Sequence, residues 1–325
     1  MKKLAATIAL SAILAFSASA MAIEVAKPSS PERYSYGTSS TGGNFYVVGG
    51  GMSTVLNNLL PDYFVITAEE TGGSTANLTM IENGDIEMGI AMTSAIAGQT
   101  AKGAKKIRGL VPLYPSYLTM YALAESGIKT TADLNGKIVG FGSKGMAMDA
   151  VFRASFPAMG ITPSQIFNDG HAATASAIAD GQVDAALLFS LPPFAAITEL
   201  EASRELNFIP LTPEQQKYLV DTYPFYMPDA IPAGAYKGVK VDTPVVSEWN
   251  VLVVSSEVPE DYAYIIAKTL YENNPELVKV YRGLTYVNTE NAFKFNCPLH
   301  TGVVKYLKEI GIEVPAEFLP PEYKD

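Results

Sequence analysis

The sequence predicts an α/β fold of two similarly built lobes, each a mixed sheet flanked by helices, joined by a two-strand hinge. Three observations carry this. A strand, a loop of small residues and a helix follow one another repeatedly, which implies parallel strands with helices on both faces. The run recurs in a second unit, and the two units share a local signature. Asn83-Gly84-Asp85-Ile86-Glu87 and Asp180-Gly181-Gln182-Val183-Asp184 each read as a helix end, a turn and a strand start. Finally, 325 residues suffice for two domains.

The first unit opens with a strand at 34–37, then the loop 38–43, which holds only Thr, Ser and Gly. The helix that follows, to residue 60, carries apolar residues at Phe45, Val48, Met52, Val55, Leu56 and Leu59, a helical period. A loop of that composition at a helix start offers backbone N–H groups and hydroxyls to an anion. Plain helix capping by Ser or Thr is the competing reading. Pro61-Asp62 turns the chain into a strand at 63–68, the small loop 70–73 and a helix from Ser74 to Asn83 that Gly84 ends. A strand at 86–92 leads to Thr93 and Ser94, which open a helix to residue 102. Strands are expected at 107–113 and 117–123.

The second unit repeats the order. It has a strand at 137–141, the loop 142–145, a helix at 146–159, a short strand at 166–168 and the loop 169–171. A helix at 172–179, a strand at 183–189 and a helix entered through Ser190 and reaching Arg204 complete it. In sheets of this kind ligands sit beyond the carboxyl ends of the strands, where both units put their polar loops. The remainder is less regular: a helix at 213–222, a Pro- and Gly-containing aromatic stretch at 223–236, and a β-rich run at 245–254. One long helix at 259–281, a last helix at 301–310 and a polar tail close the chain. The expected division is a leader at 1–22, a first lobe of 23–123 plus 245–325, and a second lobe of 124–244.

The leader reads as an export signal. Lys2 and Lys3 precede an apolar run at 4–16, and Ala18-Ser19-Ala20 and Ala20-Met21-Ala22 fit small-residue cleavage near Ala20 or Ala22. Cleavage removes two lysines and no acid from a chain already at −10, which argues against a nucleic-acid partner. With 48% hydrophobic and 17% charged residues the balance is that of a globular protein. Cys297 is the sole cysteine, so no internal disulfide forms. An exported chain without disulfides fits a periplasm, and Cys297 is expected to be a small buried residue.

Catalytic chemistry finds little support. His171 and His300 are the only histidines, and no spacing ties either to a nucleophile or a second ligand. No G-x-S-x-G elbow, C-x-x-C, H-E-x-x-H or G-K-[ST] phosphate loop occurs. No catalytic residue, metal or cofactor is expected.

The segments Gly37-Thr38 with Thr41-Gly42-Gly43, Thr67-Ala68-Glu69-Glu70-Thr71-Gly72-Gly73-Ser74 and Gly84-Asp85-Ile86-Glu87 resemble the TAXI family of solute receptors. So do Tyr223-Pro224-Phe225-Tyr226, Ile231-Pro232-Ala233-Gly234-Ala235-Tyr236 and Pro298-Leu299-His300-Thr301-Gly302. These receptors serve one branch of the TRAP transporters. The resemblance implies a two-lobed periplasmic-binding-protein fold that hands solute to ion-driven permease subunits, and ligands such as glutamate-like amino acids or 2-oxoglutarate and other dicarboxylates. Two loops depart from the family. Met92-Thr93-Ser94 stands where Gln-Ser-Asp is common, and Gly142-Ser143-Lys144-Gly145-Met146-Ala147-Met148 where Gly-x-x-Gly-Ser-Gly-Thr is common. The missing acid and the added Lys144 favour an oxo- or hydroxy-dicarboxylate without a free ammonium.

The residues expected to meet a small carboxylate are Ser39, Thr41, Gly42, Gly43, Asn44 and Tyr46 from the first loop and helix start, and Gly73 from the second. Thr93 and Ser94 come from the third loop. Ser143, Lys144, Gly145, Met146, His171 and Ser190 come from the second lobe. The protein is expected to act as a monomer. The competing reading is an exported enzyme on the same fold acting on a small carboxylate.

Overall fold

Two apolar cores divide the chain, and one pair of antiparallel strands runs through both. The computed structural model describes residues 25–41, 43–144 and 147–324; the expected leader lies outside them. In chain order the elements are β1 (Glu32–Gly37), α1 (Asn44–Leu59), β2 (Phe64–Glu69), α2 (Ser74–Asn83), β3 (Met88–Met92), α3 (Thr93–Ala101) and β4 (Ile107–Leu123). Then come β5 (Ile138–Gly140), α4 (Ala147–Ala158), β6 (Gln165–Phe167), α5 (His171–Ala179), β7 (Ala185–Ser190), α6 (Ala195–Glu201), β8 (Leu206–Phe208), α7 (Pro213–Thr222) and β9 (Met227–Ile231). The last are β10 (Thr243–Ser255), α8 (Glu260–Glu272), α9 (Asn274–Val280) and α10 (Thr301–Glu309).

The strands form one curled sheet in the order β2-β1-β3-β10-β4-β7-β5-β6, with β8 on β4 and β9 on β10. Within each lobe the short strands run parallel, β1 with β2 and β3, β5 with β6 and β7, while β10 pairs antiparallel with β3 and β4. The first core takes residues up to Tyr114 and again from Trp249. The second begins at Tyr117 and ends at Val246. The packing therefore changes over in the middle of β4 and β10, around Ser116 and Ser247-Glu248, and not at residues 123 and 245 where the expected lobe borders lie. One strand pair is long enough to serve both sheets.

Three expectations are corrected. Residues 107–113 and 117–123 are one strand, because β10 pairs along 107–117 and β7 and β8 take over the ladder from Tyr117 to Leu123. Register shifts at Asn250/Val251 and Leu252/Val253 leave Leu113 and Leu110 without a partner, the first of them beside Pro112, which has no amide to give to a ladder. The stretch 223–236 contains β9, which hydrogen-bonds β10; Pro228 is tolerated at such an edge. The helix expected at 259–281 is two. Asn273 leaves helical geometry at φ −115°, its side chain bonds the Thr269 carbonyl at 2.9 Å, and Pro275 falls in the first turn of α9.

Candidate functional site

On the first lobe, three loops leave the carboxyl ends of parallel strands and are locked together by one buried amide. Asn77, fully buried in α2, donates to the carbonyls of Thr38 and Ile90, both at 2.8 Å, and accepts the Thr71 hydroxyl at 2.6 Å. The Thr38 hydroxyl in turn donates to the Glu69 carbonyl at 2.6 Å. A Cβ on Gly37 would lie 2.6 Å from Asn77 Oδ1, so glycine is what lets the amide reach in. Gly73 holds a φ of +84°, and its amide donates to the Thr71 hydroxyl at 3.1 Å. The Met92 amide donates to Ser74 Oγ at 3.1 Å, tying the start of α2 to the end of β3.

The starts of α1, α2 and α3 thus gather on one rim. None is capped by its own N-cap side chain or carries an acid in its first turn. The amides at the starts of α1 and α2 face the rim, whereas the Ser94 amide at the start of α3 is met by the Glu248 carboxylate. Ser39 and Gly43 are half-buried there, and Thr41, Asn44 and Tyr46 are exposed. The Thr41 amide donates to Glu70 at 3.2 Å. Gly42 lies outside the described residues.

The third loop is built into the hinge. Thr93 is fully buried; its hydroxyl donates to the Phe225 carbonyl at 3.1 Å and accepts the Trp249 amide at 3.3 Å. The hydroxyl expected to face solute instead spans the two lobes, because the start of α3 meets β10 and the 223–226 turn. Ser94 turns its hydroxyl and amide toward the carboxylate of Glu248. Glu248 is 4% exposed in the strand where the cores change over. Burial pushes its carboxyl up to about 7, against the opposing pull of Ser94. Behind it, the Asn250 amide donates to the Tyr114 carbonyl at 3.1 Å and to Ser116 Oγ at 2.8 Å.

Register places Glu248 level with the loop-bearing strand ends. Asn250 pairs with Met92 at the carboxyl end of β3, and Ser247 with Tyr117, which pairs with Ser190 at the carboxyl end of β7. The loop-bearing ends of both lobes therefore flank the short span 248–249.

On the second lobe, Gly142 has a φ of +72° and its carbonyl accepts Asn168 Nδ2 at 2.9 Å. Asn168 and Arg153 both bond Asp149, at 3.1 and 2.8 Å, which fixes this turn. Ser143 and Lys144 stand exposed on it, whereas Gly145 and Met146 lie outside the described residues. His171 opens α5, packs edge-on against Phe194 at 5.8 Å, and is held below the usual imidazole pKa by burial. Ser190 is 8% exposed, with Oγ sealed from the surface beside the Tyr236 hydroxyl. Expected to face solute, it is instead closed off beside Tyr236.

The match to a described family, the NMT1-like family, runs over residues 36–311 and takes in both lobes and the hinge. The chain belongs to the NMT1-like family. Solved structures resemble this NMT1-like protein more distantly. One is the second substrate-binding domain of GlnP from Lactococcus lactis in its open conformation, at 14% identity over 79% of this chain and 97% of that one, TM-score 0.47. Another is the periplasmic aliphatic sulphonate binding protein SsuA from Escherichia coli, at 16% identity over 87% and 80%, TM-score 0.46.

Two residues of this candidate site escaped the sequence reading. Asn77 sits in an ordinary helical pattern, and only its bonds to Thr38, Thr71 and Ile90 reveal it. Glu248 left a usable signal: a lone acid inside the apolar run 243–255, where a charge is costly unless something requires it. Among the described residues no three His, Cys, Asp or Glu side chains gather as a metal site would need.

Proposed function

We propose that this NMT1-like protein is an exported periplasmic receptor, without catalysis of its own, that binds a small carboxylate between its lobes and delivers it to the membrane subunits of a TRAP transporter. The observation that carries the reading is the hinge. Two cores share one continuous strand pair, and the polar loop ends of both lobes converge on it. Such a joint supports closure of two rigid bodies around a solute. The uncapped starts of α1 and α2 favour a carboxylate on the first-lobe rim, at Ser39, Gly43 and Gly73. Lys144, Ser143 and His171 are proposed to meet it from the second lobe. The TRAP assignment follows from the sequence resemblance, and the periplasmic address from the leader.

The test is thermal melting of the mature protein with a panel of small mono- and dicarboxylates, alongside mass spectrometry of solute carried through purification. Reversible stabilisation by mass action, with the solute recovered unchanged, is the expected result. Conversion of the solute would favour the exported-enzyme alternative, and no stabilisation by any carboxylate would sink the reading.

A further inference from the structure

Arg108 is a buried cation that the sheet itself does not need. It sits in β4 at 7% exposure, and a guanidinium so placed is tolerated only with partners for its donors. Nη1 donates to the carbonyls of Lys105 and Ile107 at 2.8 and 2.9 Å. Nε and Nη2 donate side by side to the two oxygens of Glu322, both at 2.7 Å, in the planar fork that arginine offers a carboxylate. Glu322 lies 214 residues further on, in the C-terminal segment, and this contact holds its carboxyl below the usual range.

The rest of that segment is fastened as well. The Leu299 amide donates to the Phe318 carbonyl at 2.8 Å, and Phe318 packs on Phe293 at 5.3 Å. The Tyr323 hydroxyl accepts from Lys308, whose ammonium sits 4.7 Å from the ring centre. Residues 318–323 therefore form a strap along the stretch 293–300. Gly109 pins that stretch to β4: its amide donates to the Pro298 carbonyl at 2.8 Å and its carbonyl accepts the His300 amide at 3.0 Å. A Cβ on Gly109 would fall 2.8 Å from the Phe295 ring, so glycine is what lets the ring lie on the strand. The same stretch reaches the hinge. Asn296 donates Nδ2 to the Thr93 carbonyl at 2.7 Å, and Lys294 stands over the Trp249 ring at 5.9 Å. Thr93 is the residue whose hydroxyl joins the lobes, and Trp249 supplies one of its two partners.

We propose that this strap positions the hinge. Glu322, through Arg108 and the stretch 293–300, holds Asn296 against the start of α3, and Asn296 sets Thr93 for its bond to Phe225. Glu322 and Asn296 are then positioning residues, remote from the cleft loops, that set how readily the lobes part. An apolar anchor would hold the segment as firmly as a buried arginine does; the fork instead fixes one register. Asn296 is fixed in the same way, since its Nδ2 is spent on Thr93. The strap acts on the lobes and not on the solute, so solute-free protein tests it and its failure would leave the receptor reading untouched.

The experiment is energy transfer between dyes on Asn58→Cys in α1 and Glu199→Cys in α6, two exposed positions in different lobes, in solute-free mature protein. Cys297 is buried, out of reach of the dyes. The ratio of open to closed molecules is read for the labelled protein alone, with Glu322→Gln, with Asn296→Leu and with both, and a urea midpoint accompanies each. The expected result is a ratio about 2–12-fold higher in each single variant, the span of one hydrogen bond, and no higher in the combined variant than in the larger single one. An unchanged ratio in Glu322→Gln overturns the proposal. Two factors that multiply overturn it as well, because the residues would then act by separate routes. A protein wholly open before either substitution does the same, since the Thr93 tie would not form in solution. Should Glu322→Gln fail to fold, Phe318→Ala, which loosens the strap at its other end, takes its place in the same comparison.

Discussion

The hydroxyl of Thr93 donates to the Phe225 carbonyl at 3.1 Å while accepting the Trp249 amide at 3.3 Å, so one buried side chain joins the first lobe, the second lobe and the hinge. Arg282 makes a second tie, donating to the Pro192 carbonyl at 2.9 Å. Thr93→Val keeps the shape and removes both of the threonine bonds, stranding a carbonyl and an amide. Each unsatisfied group costs about 1–3 kcal/mol. Urea unfolding should show a loss within that range or above it, and solution scattering a larger radius of gyration without solute. An unchanged midpoint and radius would mean that the tie does not hold the lobes.

Asn77 should behave as a keystone of the first-lobe rim. Asn77→Leu removes two donors and an acceptor at once: the Ile90 carbonyl loses its amide donor, the Thr71 hydroxyl loses its acceptor, and the Thr38 carbonyl keeps only that hydroxyl. The expected destabilisation is at least about 2 kcal/mol, from the lost buried hydrogen bonds. Solute affinity should fall with it, because Thr38 and Thr71 anchor the loops at either side. Denaturant midpoints and calorimetry on the same preparations check both effects. A folded variant of normal stability would show that the loops hold their own shape.

Local signals account for what the sequence disclosed. Helix α7 is bounded as expected, since Thr212 accepts the Gln215 amide at 3.2 Å in a capping box with Pro213 behind it. Gly84 closes α2 at a φ of +83°, as a glycine after a helical period should. Cys297 is buried, and burial raises its thiol up to about 12. What failed depends on partners distant in sequence. The continuity of β4 through Pro112 and Pro115 exists only because β10 lies beside it. Thr93 and Ser190 read correctly as loop-end hydroxyls, yet the hinge and the Tyr236 neighbourhood claim them. Glu248 meets Ser94 only once the sheet has formed. The loops were legible through composition; the pairing of groups inside the site was not.

His300 gives a pH dependence with a definite sign. It caps α10 by accepting the Gly302 amide on Nδ1 at 3.2 Å, and burial depresses its pKa to about 4 from the usual 6.5. The folded state keeps the ring neutral while the unfolded chain takes up a proton. Stability is therefore lost as pH falls from the unfolded value toward about 4. Relative to His300→Asn, which retains a capping side chain, the wild type should lose roughly 3 kcal/mol over that window. Parallel urea titrations at pH 7, 6, 5 and 4 read the difference. A constant gap between the two proteins would mean that His300 accepts its proton without strain on the fold.

Glu248 predicts the opposite slope. Its folded pKa is raised from 4.5 to about 7, chiefly by burial, so ionisation is harder in the folded state than in the unfolded chain. The carboxyl's contribution is fully present below the unfolded value and is lost as pH rises through about 7. The groups that face it are Ser94 from α3, which does not titrate, and Tyr226 from the turn before β9. Burial and the Glu248 charge hold the Tyr226 phenol neutral. Lys294, over the neighbouring Trp249 ring at 5.9 Å, makes no ion pair with Glu248 among the described residues. Glu248→Gln removes the ionisation and keeps the size. The solute-free variant should match the wild type in acid to within a baseline offset, then gain on it by roughly 3 kcal/mol by pH 8. Urea unfolding at pH 4.5, 6, 7 and 8 tests this. A variant that is more stable yet binds solute less well would identify Glu248 as a group kept at the expense of the fold. A difference that does not change with pH would place the carboxyl in contact with solvent or a donor, and remove burial as the cause.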